Sequence, residues 1–96
     1  MKTREEIIAA LSGIKGSLQK KYPLTRLALF GSYARGDQNE NSDVDVLVEV
    51  KPSIGLGFVT LANQIEKTIG LPTDVVSFNA IKPNYRKIVE AELIDV

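Results

Sequence analysis

The sequence predicts an α+β fold in which helices cover one face of a mixed sheet. Apolar residues recur at helical spacing in three segments, and strand-like apolar segments rich in valine lie between them. The predicted order is helix, strand, strand, helix, strand, helix, which leaves the second sheet face open to a ligand. A chain of 96 residues suits one domain, residues 1–96.

The first predicted helix begins beside Thr3. Thr3 and Glu6 have the spacing of a capping box, in which each side chain accepts a hydrogen bond from the other residue's backbone N–H. Lys20, Lys21 and Pro23 mark the end of this helix, and the basic residues suit the C-terminal end of its dipole. Its apolar positions are Ile7, Leu11, Ile14 and Leu18.

Three segments are predicted to form the main strands: residues 24–30, 43–50 and 73–78. The middle segment reads D-V-D-V-L-V-E-V and alternates strictly, which is typical of a strand with one buried face. Residues 37–42 between the first two strands are polar and predict a loop. Residues 93–96 are expected to add a short final strand.

Two further helices follow the second and third strands. The first of them ends at Gly70, a predicted C-cap. For the last helix we predict Asn79 as the N-cap and Pro83 in the first turn. The apolar residues of the two helices are Phe58, Leu61, Ala62, Ile65 and Ile69, then Tyr85, Ile88, Val89 and Leu93.

Composition excludes several kinds of chemistry. The chain has no Cys and no His, so it has no disulfide, no thiolate nucleophile, no Cys-type zinc site and no Ser–His–Asp triad. The formal net charge is zero, which does not indicate a nucleic-acid or membrane-surface partner. No apolar run approaches the ~20 residues of a membrane-spanning helix, and the expected location is the cytoplasm.

The alternating second strand carries two acidic residues on one face. Asp43 and Asp45 are two residues apart, about 6–7 Å at Cα, and side chains at this spacing point the same way. Two metal ions in phosphoryl-transfer sites lie about 3.5–4 Å apart, so this pair of carboxylates suits them. The alternative, a solvated strand face without metal, is about as well supported by this strand alone.

A glycine and a serine follow the first strand directly. At a junction from strand to helix, the backbone N–H groups of Gly31 and Ser32 and the Ser32 hydroxyl are suited to phosphate. Taken alone, the Gly31-Ser32 pair is better explained as an ordinary turn from strand to helix. Arg35 is a candidate for phosphate contact or for tying the polar loop down through Asp37 or Asp43, and the structural role is favoured slightly. Tyr33 is interpreted as a surface or partner contact.

Asp74, in the third strand, completes a set of three. If that strand lies beside the second one, Asp74 joins Asp43 and Asp45 on the open sheet face. Three carboxylates on one face are much harder to attribute to ordinary solvated surface than two are.

Together these residues resemble the nucleotidyltransferase superfamily typified by DNA polymerase beta. Its signature is G-S, then D-x-D on a strand, then a carboxylate on a later strand. The chain is most similar to the minimal nucleotidyltransferase family, since it reads G-S-Y-A-R-G from Gly31 and S-D-V-D from Ser42. The D-V-V segment at Asp74 and the A-I-K-P segment at Ala80 also match that family, and the resemblance covers most of the chain.

The resemblance implies a polymerase beta-like fold and a role for each site residue. Gly31 and Ser32, with Arg35, hold the phosphates of ATP. Asp43 and Asp45 bind magnesium, with two ions expected. Asp74 completes the metal site and helps to deprotonate the attacking hydroxyl group.

Relatives of this length are often antitoxins paired with a HEPN-domain toxin. The resemblance therefore implies that the chain transfers AMP from ATP to a hydroxyl of that toxin, expected to be a tyrosine hydroxyl. The length of the chain fits this implication, because it leaves no room for a lobe that binds a small acceptor. Two alternatives are a binding module that neutralises its partner by occupancy and a nucleotidyltransferase for small molecules. The sequence leaves the preferred nucleotide, the number of nucleotides added and the oligomeric state open.

Overall fold

A computed structural model describes residues 2–96. The helices and strands follow in the order α1, β1, α2, β2, α3, β3, α4, β4, with short 3-10 turns at Pro52–Ile54 and Phe78–Ala80. The helices are α1 (Arg4–Lys21), α2 (Gly31–Arg35), α3 (Gly57–Ile69) and α4 (Pro83–Glu92). The strands are β1 (Leu24–Phe30), β2 (Val44–Val50), β3 (Thr73–Ser77) and β4 (Ile94–Asp95).

The four strands form one mixed sheet in the order β3-β2-β1-β4. β1 pairs antiparallel with β2 and with β4, whereas β2 and β3 run parallel. The parallel connection passes through α3, as a crossover between parallel strands requires. The predicted α+β class and the mixed sheet are confirmed, and so is the short strand at the end of the chain.

α1 and α3 cover one face of the sheet. Alternate residues of β1 and β2 point into this layer and are fully buried, and each helix contributes three buried aliphatic residues. The core residues of the two strands include Leu27, Leu29, Val44, Val46 and Val48, and those of the helices are Ile7, Leu11, Leu18, Leu61, Ile65 and Ile69. Full burial of such a side chain contributes about 1.5–3 kcal/mol, so this layer fixes which side chains face away from it.

Helix ends follow the local sequence with one exception. The capping box is present, since Thr3 Oγ1 accepts from the Glu6 N–H and Glu6 Oε1 accepts from the Thr3 N–H, both at 3.1 Å. Gly70 caps α3 in the left-handed conformation, as predicted. The prediction that Asn79 caps α4 is wrong: Lys82 is the N-cap, because Asn79 lies within a 3-10 turn and α4 starts at Pro83.

The second face of the sheet is only partly open. Ala28 and Leu47 are cross-strand partners on this face, and both are fully buried. The Phe78–Ala80 turn lies against β2, and α4 contacts α2. Near the start of β2 and β3 this face stays accessible, since Asp45 is half-buried and Asp74 is exposed. None of the helices formed by residues 2–96 is both long and apolar enough to cross a membrane.

Candidate active site

Strand register brings two of the predicted aspartates side by side. Asp45 is the Cα partner of Asp74 in the parallel β2–β3 pair, which places the two strands about 4.8 Å apart at this point. Asp45 is half-buried, whereas Asp74 is exposed. Asp43 is exposed and lies one residue before β2, so the predicted strand began one residue too early.

Hydrogen bonds fix the segments that lead to the aspartates. The Val44 N–H donates to the Pro72 carbonyl at 2.9 Å, which ties the residue after Asp43 to the residues before β3. The Thr73 N–H donates to Glu66 Oε2 of α3 at 2.8 Å. The loop before Asp43 is held by a bond of 3.0 Å from the Asn39 N–H to Ser42 Oγ. The backbone on both sides of the acidic pair is therefore held in place by other parts of the chain.

The glycine-serine turn lies directly against Asp45. Phe30 and Asp45 are Cα partners, and Gly31 follows Phe30 as the first residue of α2. Gly31 has φ +75°, and a Cβ built on it would overlap Asp45 Oδ2 and lie 3.0 Å from Asp45 Cγ. Phe30, the N-cap, offers no side-chain acceptor to the first turn of α2. The structure thus brings the G-S motif and the second aspartate of D-x-D into contact.

Burial and neighbouring acidic groups determine the electrostatics at Asp45. Burial raises the pKa of the Asp45 carboxyl above its ordinary value, and the nearby charges of Asp74 and Asp43 raise it further. Arg35 opposes this shift, and Glu92 adds to it slightly. Asp43 and Asp74 therefore act on the charge of Asp45. Among residues 2–96, no three acidic side chains lie close enough together to form a group that could hold a metal ion.

Arg35, at the end of α2, is bound by two carboxylates. Its Nε donates to Asp37 Oδ2 at 3.1 Å, and its Nη1 donates to Glu92 Oε1 at 3.0 Å. The contact with Asp37 is the loop-fixing role that the sequence favoured. Glu92 was not predicted as a site residue, because it lies 57 positions further along the chain and no local pattern marks it.

Tyr33 is not at the surface. Its side chain is 2% exposed and belongs to the core cluster, so the interpretation as a partner contact is wrong. In the five-residue helix α2, Gly31, Tyr33 and Ala34 are buried while Arg35 is exposed. A cleft of about 520 Å³ opens between Tyr33, the 40–43 segment and Leu71–Pro72, and of the three aspartates only Asp43 lines it.

Comparison with known protein families shows the class of protein to which this chain belongs. The family model of the nucleotidyltransferase domain matches residues 11–96. This match spans the glycine-serine turn and all three aspartates. The fold and the candidate site therefore belong to an enzyme of the nucleotidyltransferase class.

Individual relatives define the family more narrowly. The protein adenylyltransferase MntA of Thermococcus cleftensis is 37% identical over 98 residues, covering 100% of this chain and 98% of MntA. A Methanocaldococcus jannaschii protein, named provisionally as a protein adenylyltransferase, is 41% identical over 101 residues and is covered completely, as is this chain. A solved structure described provisionally as a minimal nucleotidyltransferase matches with a TM-score of 0.85 and 28% identity, over 99% of this chain and 97% of that one. The chain belongs to the minimal nucleotidyltransferase family, and the predicted polymerase beta-like fold is confirmed.

Replacement of Gly31 by alanine tests the close approach of the turn to Asp45. Gly31→Ala is expected to destabilise the protein by about 1–3 kcal/mol, because alanine is strained at positive φ and its methyl group would displace the Asp45 carboxylate. Gly13→Ala is the matched control, since a Cβ there meets nothing within 4 Å and its helical position favours alanine by about 0.5–1 kcal/mol. Urea unfolding measures both; equal effects of the two substitutions would contradict the close approach.

The raised pKa of Asp45 predicts a pH-dependent gain in stability from Asp45→Asn. A carboxyl group whose pKa is higher in the folded than in the unfolded state destabilises the fold when it is ionised. In metal-free buffer near neutral pH, Asp45→Asn should therefore raise Tm by about 1–3 °C, a fraction of the ~4–8 °C that corresponds to 1 kcal/mol in a domain of this size. The gain should disappear below pH 3.8, the ordinary pKa of this carboxyl group, because Asp45 is then protonated in both the folded and the unfolded state.

Glu49→Gln serves as the control for this substitution. Glu49 lies on the same strand and sheet face, but its partner in β1 is Arg26 instead of an acidic residue. Scanning calorimetry at several pH values should show no gain for Glu49→Gln. A Tm for Asp45→Asn that does not exceed that of the wild type near neutral pH would mean that the acidic crowding has no energetic effect.

Proposed function

We propose that this chain transfers AMP from ATP to a hydroxyl group of a partner protein, specifically a tyrosine of a HEPN-domain toxin, and thereby acts as an antitoxin. The whole chain, residues 1–96, acts as a single nucleotidyltransferase domain in this proposal. The observation that carries it is the register that sets Asp45 beside Asp74 and against the backbone of Gly31. This arrangement joins a phosphate-binding motif to acidic groups at one place.

Relatives support the acceptor class. MntA of Thermococcus cleftensis is named a protein adenylyltransferase. A protein of similar fold was crystallised as a toxin–antitoxin assembly with AMP-PNP, with a TM-score of 0.67 and 22% identity, over 96% of this chain and 70% of that one. At this identity the likeness concerns the fold, and the toxin partner of the present chain remains part of our proposal.

The reaction is a substitution at the α-phosphorus of ATP. The acceptor oxygen forms a bond to this phosphorus, the bond to the oxygen that leads to the β-phosphate breaks, and pyrophosphate leaves with the electron pair. Asp74 takes the proton from the acceptor hydroxyl. Because Asp74 is exposed at the edge strand β3, a macromolecular acceptor has access to it.

The donor set suits magnesium. Carboxylate oxygens are the ligands that Mg²⁺ prefers in proteins, and Asp43, Asp45 and Asp74 would hold two such ions. When bound, the metal supplies positive charge that neutralises the phosphates and removes the mutual repulsion of the carboxylates. Phosphoryl transfer depends mainly on positioning and charge neutralisation, so a chain without His is suited to it.

Gly31, Ser32 and Arg35 bind the phosphates in this proposal. Gly31 has no side chain between its backbone and the site, and Ser32 follows it in the first turn of α2. Asp37 and Glu92 occupy Nε and Nη1 of Arg35, whereas Nη2 makes no hydrogen bond among the described residues. Arg35 therefore keeps one donor group for a phosphate oxygen while the other two fix its position.

Transfer of label from ATP tests the proposed reaction. The protein is mixed with α-³²P-labelled ATP, magnesium and the purified product of the adjacent gene, which we expect to be the HEPN toxin. We expect label on the toxin, and we expect Asp43→Asn, Asp45→Asn and Asp74→Asn each to reduce the transfer at least ~100-fold, since groups that act on the reacting phosphate typically contribute this much. Glu49→Gln, on the same sheet face, should retain activity within about twofold of the wild type.

The same variants separate catalysis from occupancy. If Asp43→Asn protects cells from the toxin as well as the wild type does, the chain neutralises its partner by binding alone. Label on a small hydroxyl compound in place of the toxin would favour the small-molecule alternative.

Replacement of Arg35 by lysine tests the phosphate contact. Lysine keeps the charge but lacks the planar fork that binds two carboxylates and a phosphate together. Arg35→Lys should therefore weaken binding of Mg–ATP about 10- to 100-fold, as expected for the loss of a hydrogen bond to a charged group. The control is Arg26→Lys, because Arg26 also binds two carboxylates, Asp95 and Glu90, but does not contribute to the pKa shift of Asp45.

Titration calorimetry with a non-hydrolysable ATP analogue measures both dissociation constants. Equal weakening by the two substitutions would assign Arg35 a purely structural role.

A further inference from the structure

Helix α4 lacks the buried face that a surface helix normally has. Its ten residues, Pro83–Glu92, include no buried residue. Tyr85 is 53% exposed and Ile88 is 62% exposed, and both were predicted to belong to a buried apolar stripe. Helices this short are marginal in water unless an amphipathic face packs against another element. Tyr85 and Ile88 therefore remain uncovered by the described chain.

Polar contacts hold α4 on the sheet instead. Glu90 pairs with Arg26 at 3.6 Å, Glu92 pairs with Arg35 at 3.0 Å, and the Arg86 guanidinium lies 5.2 Å from the centre of the Phe78 ring. Partly exposed ion pairs contribute about 0–1 kcal/mol each, and an exposed cation–π contact about 0.5–1 kcal/mol. These contacts orient α4, and they leave Tyr85 and Ile88 exposed at i and i+3, where they form one surface.

This surface adjoins the candidate active site. Glu92, the last residue of α4, forms an ion pair with Arg35, and its negative charge contributes to the raised pKa of Asp45. With a rise of about 1.5 Å per residue, Ile88 and Tyr85 lie about 6 and 10 Å along the helix axis from Glu92. A protein that brings a hydroxyl group to Asp74 and Asp45 therefore lies close to α4.

A second exposed apolar pair lies elsewhere. Leu56 is 90% exposed and Val59 is 60% exposed, and they mark the beginning of α3. α3 packs on the sheet face opposite to the one on which Arg26 and Arg35 hold α4. Exposure alone does not distinguish the two pairs, but the pair on α4 lies on the helix whose last residue, Glu92, contacts Arg35 of the candidate site.

Charge indicates the chemistry of the partner. Lys82 lies three residues before Tyr85, and Lys87 directly precedes Ile88; both lysines are exposed and form no ion pair among residues 2–96. An apolar surface bordered by unpaired cations is complementary to an apolar surface bordered by acidic residues. A partner of this kind covers the side chains that α4 leaves exposed.

We propose that the α4 surface, defined by Lys82, Tyr85, Lys87 and Ile88, docks the protein acceptor through an apolar patch with an acidic border. This inference rests on the proposed function, since it assigns the docking surface for the same reaction. The acceptor binds along α4 and presents its hydroxyl group beyond Glu92, toward Asp45 and Asp74. Docking and chemistry then use different residues, which allows them to be tested separately.

The test compares two double variants. Tyr85→Ser with Ile88→Ser removes the α4 patch, and Leu56→Ser with Val59→Ser is the control, a second exposed apolar pair with the same spacing along the chain. We expect the first pair to weaken binding of the purified HEPN toxin at least ~10-fold, in the range found for apolar interface anchors, and to raise the KM for the toxin in label transfer. The control pair should change neither quantity more than about twofold.

Further measurements keep docking separate from folding and from the reaction. Binding of Mg–ATP and Tm should be unchanged in the α4 double variant, because neither Tyr85 nor Ile88 is buried. Lys82→Glu with Lys87→Glu should also weaken toxin binding and should reduce its dependence on salt.

The remaining outcomes show which of the two proposals, the reaction or the docking surface, is wrong. A wild-type chain that binds the toxin through α4 but transfers no label contradicts the proposed reaction and leaves the docking surface in place. Normal toxin binding by the α4 double variant overturns the docking proposal, as does a loss confined to the Leu56 and Val59 variant. If the α4 variant converts a wild-type dimer into a monomer without affecting toxin binding, a second copy of this chain covers α4 and the docking proposal is wrong. A wild-type chain that neither binds nor labels the toxin contradicts both proposals.

Discussion

The structure depends on the register that sets Phe30, Asp45 and Asp74 side by side across β1, β2 and β3. A shift of β2 by one residue would turn Asp45 into the core and its valines toward solvent. Burial of Val44, Val46 and Val48 contributes about 1.5–3 kcal/mol each. Repulsion between the carboxylates of Asp45 and Asp74 opposes this register, but Asp74 is exposed, so water reduces the repulsion to about 1 kcal/mol. The valine core therefore outweighs the repulsion and holds the acidic pair together.

Much of this arrangement was predictable because the signals are local. Strict alternation from Asp43 to Val50 predicts both the strand and its two faces, and glycine at the end of α3 predicts where that helix ends. The contact between Gly31 and Asp45 was predictable only through the joint motif, since Gly31 begins α2 whereas Asp45 lies in β2. Their identities suit one another physically: a residue at positive φ that approaches a carboxylate has to be glycine.

The features that could not be predicted from the sequence depend on interactions between distant parts of the chain. Glu92 joins the site through an ion pair with Arg35, and no sequence pattern marks a pairing over 57 residues. Tyr33 is buried because α2 packs against the core, whereas its position in a short polar segment suggested the surface. The opposite error concerns α4. Helical spacing predicts an apolar stripe correctly, but it does not tell whether the chain itself or another molecule covers that stripe.

α4 also connects the two halves of the proposed function. Arg35 is the last residue of α2 and Glu92 the last residue of α4, so their ion pair ties the helix that would dock the acceptor to the turn that would bind phosphate. Glu92 compensates the charge of Arg35 and at the same time adds negative charge near Asp45. Contact between an acceptor and α4 would therefore act on the guanidinium that, in the proposed function, binds the nucleotide. The ion pair between Glu92 and Arg35 would then couple acceptor binding to nucleotide binding.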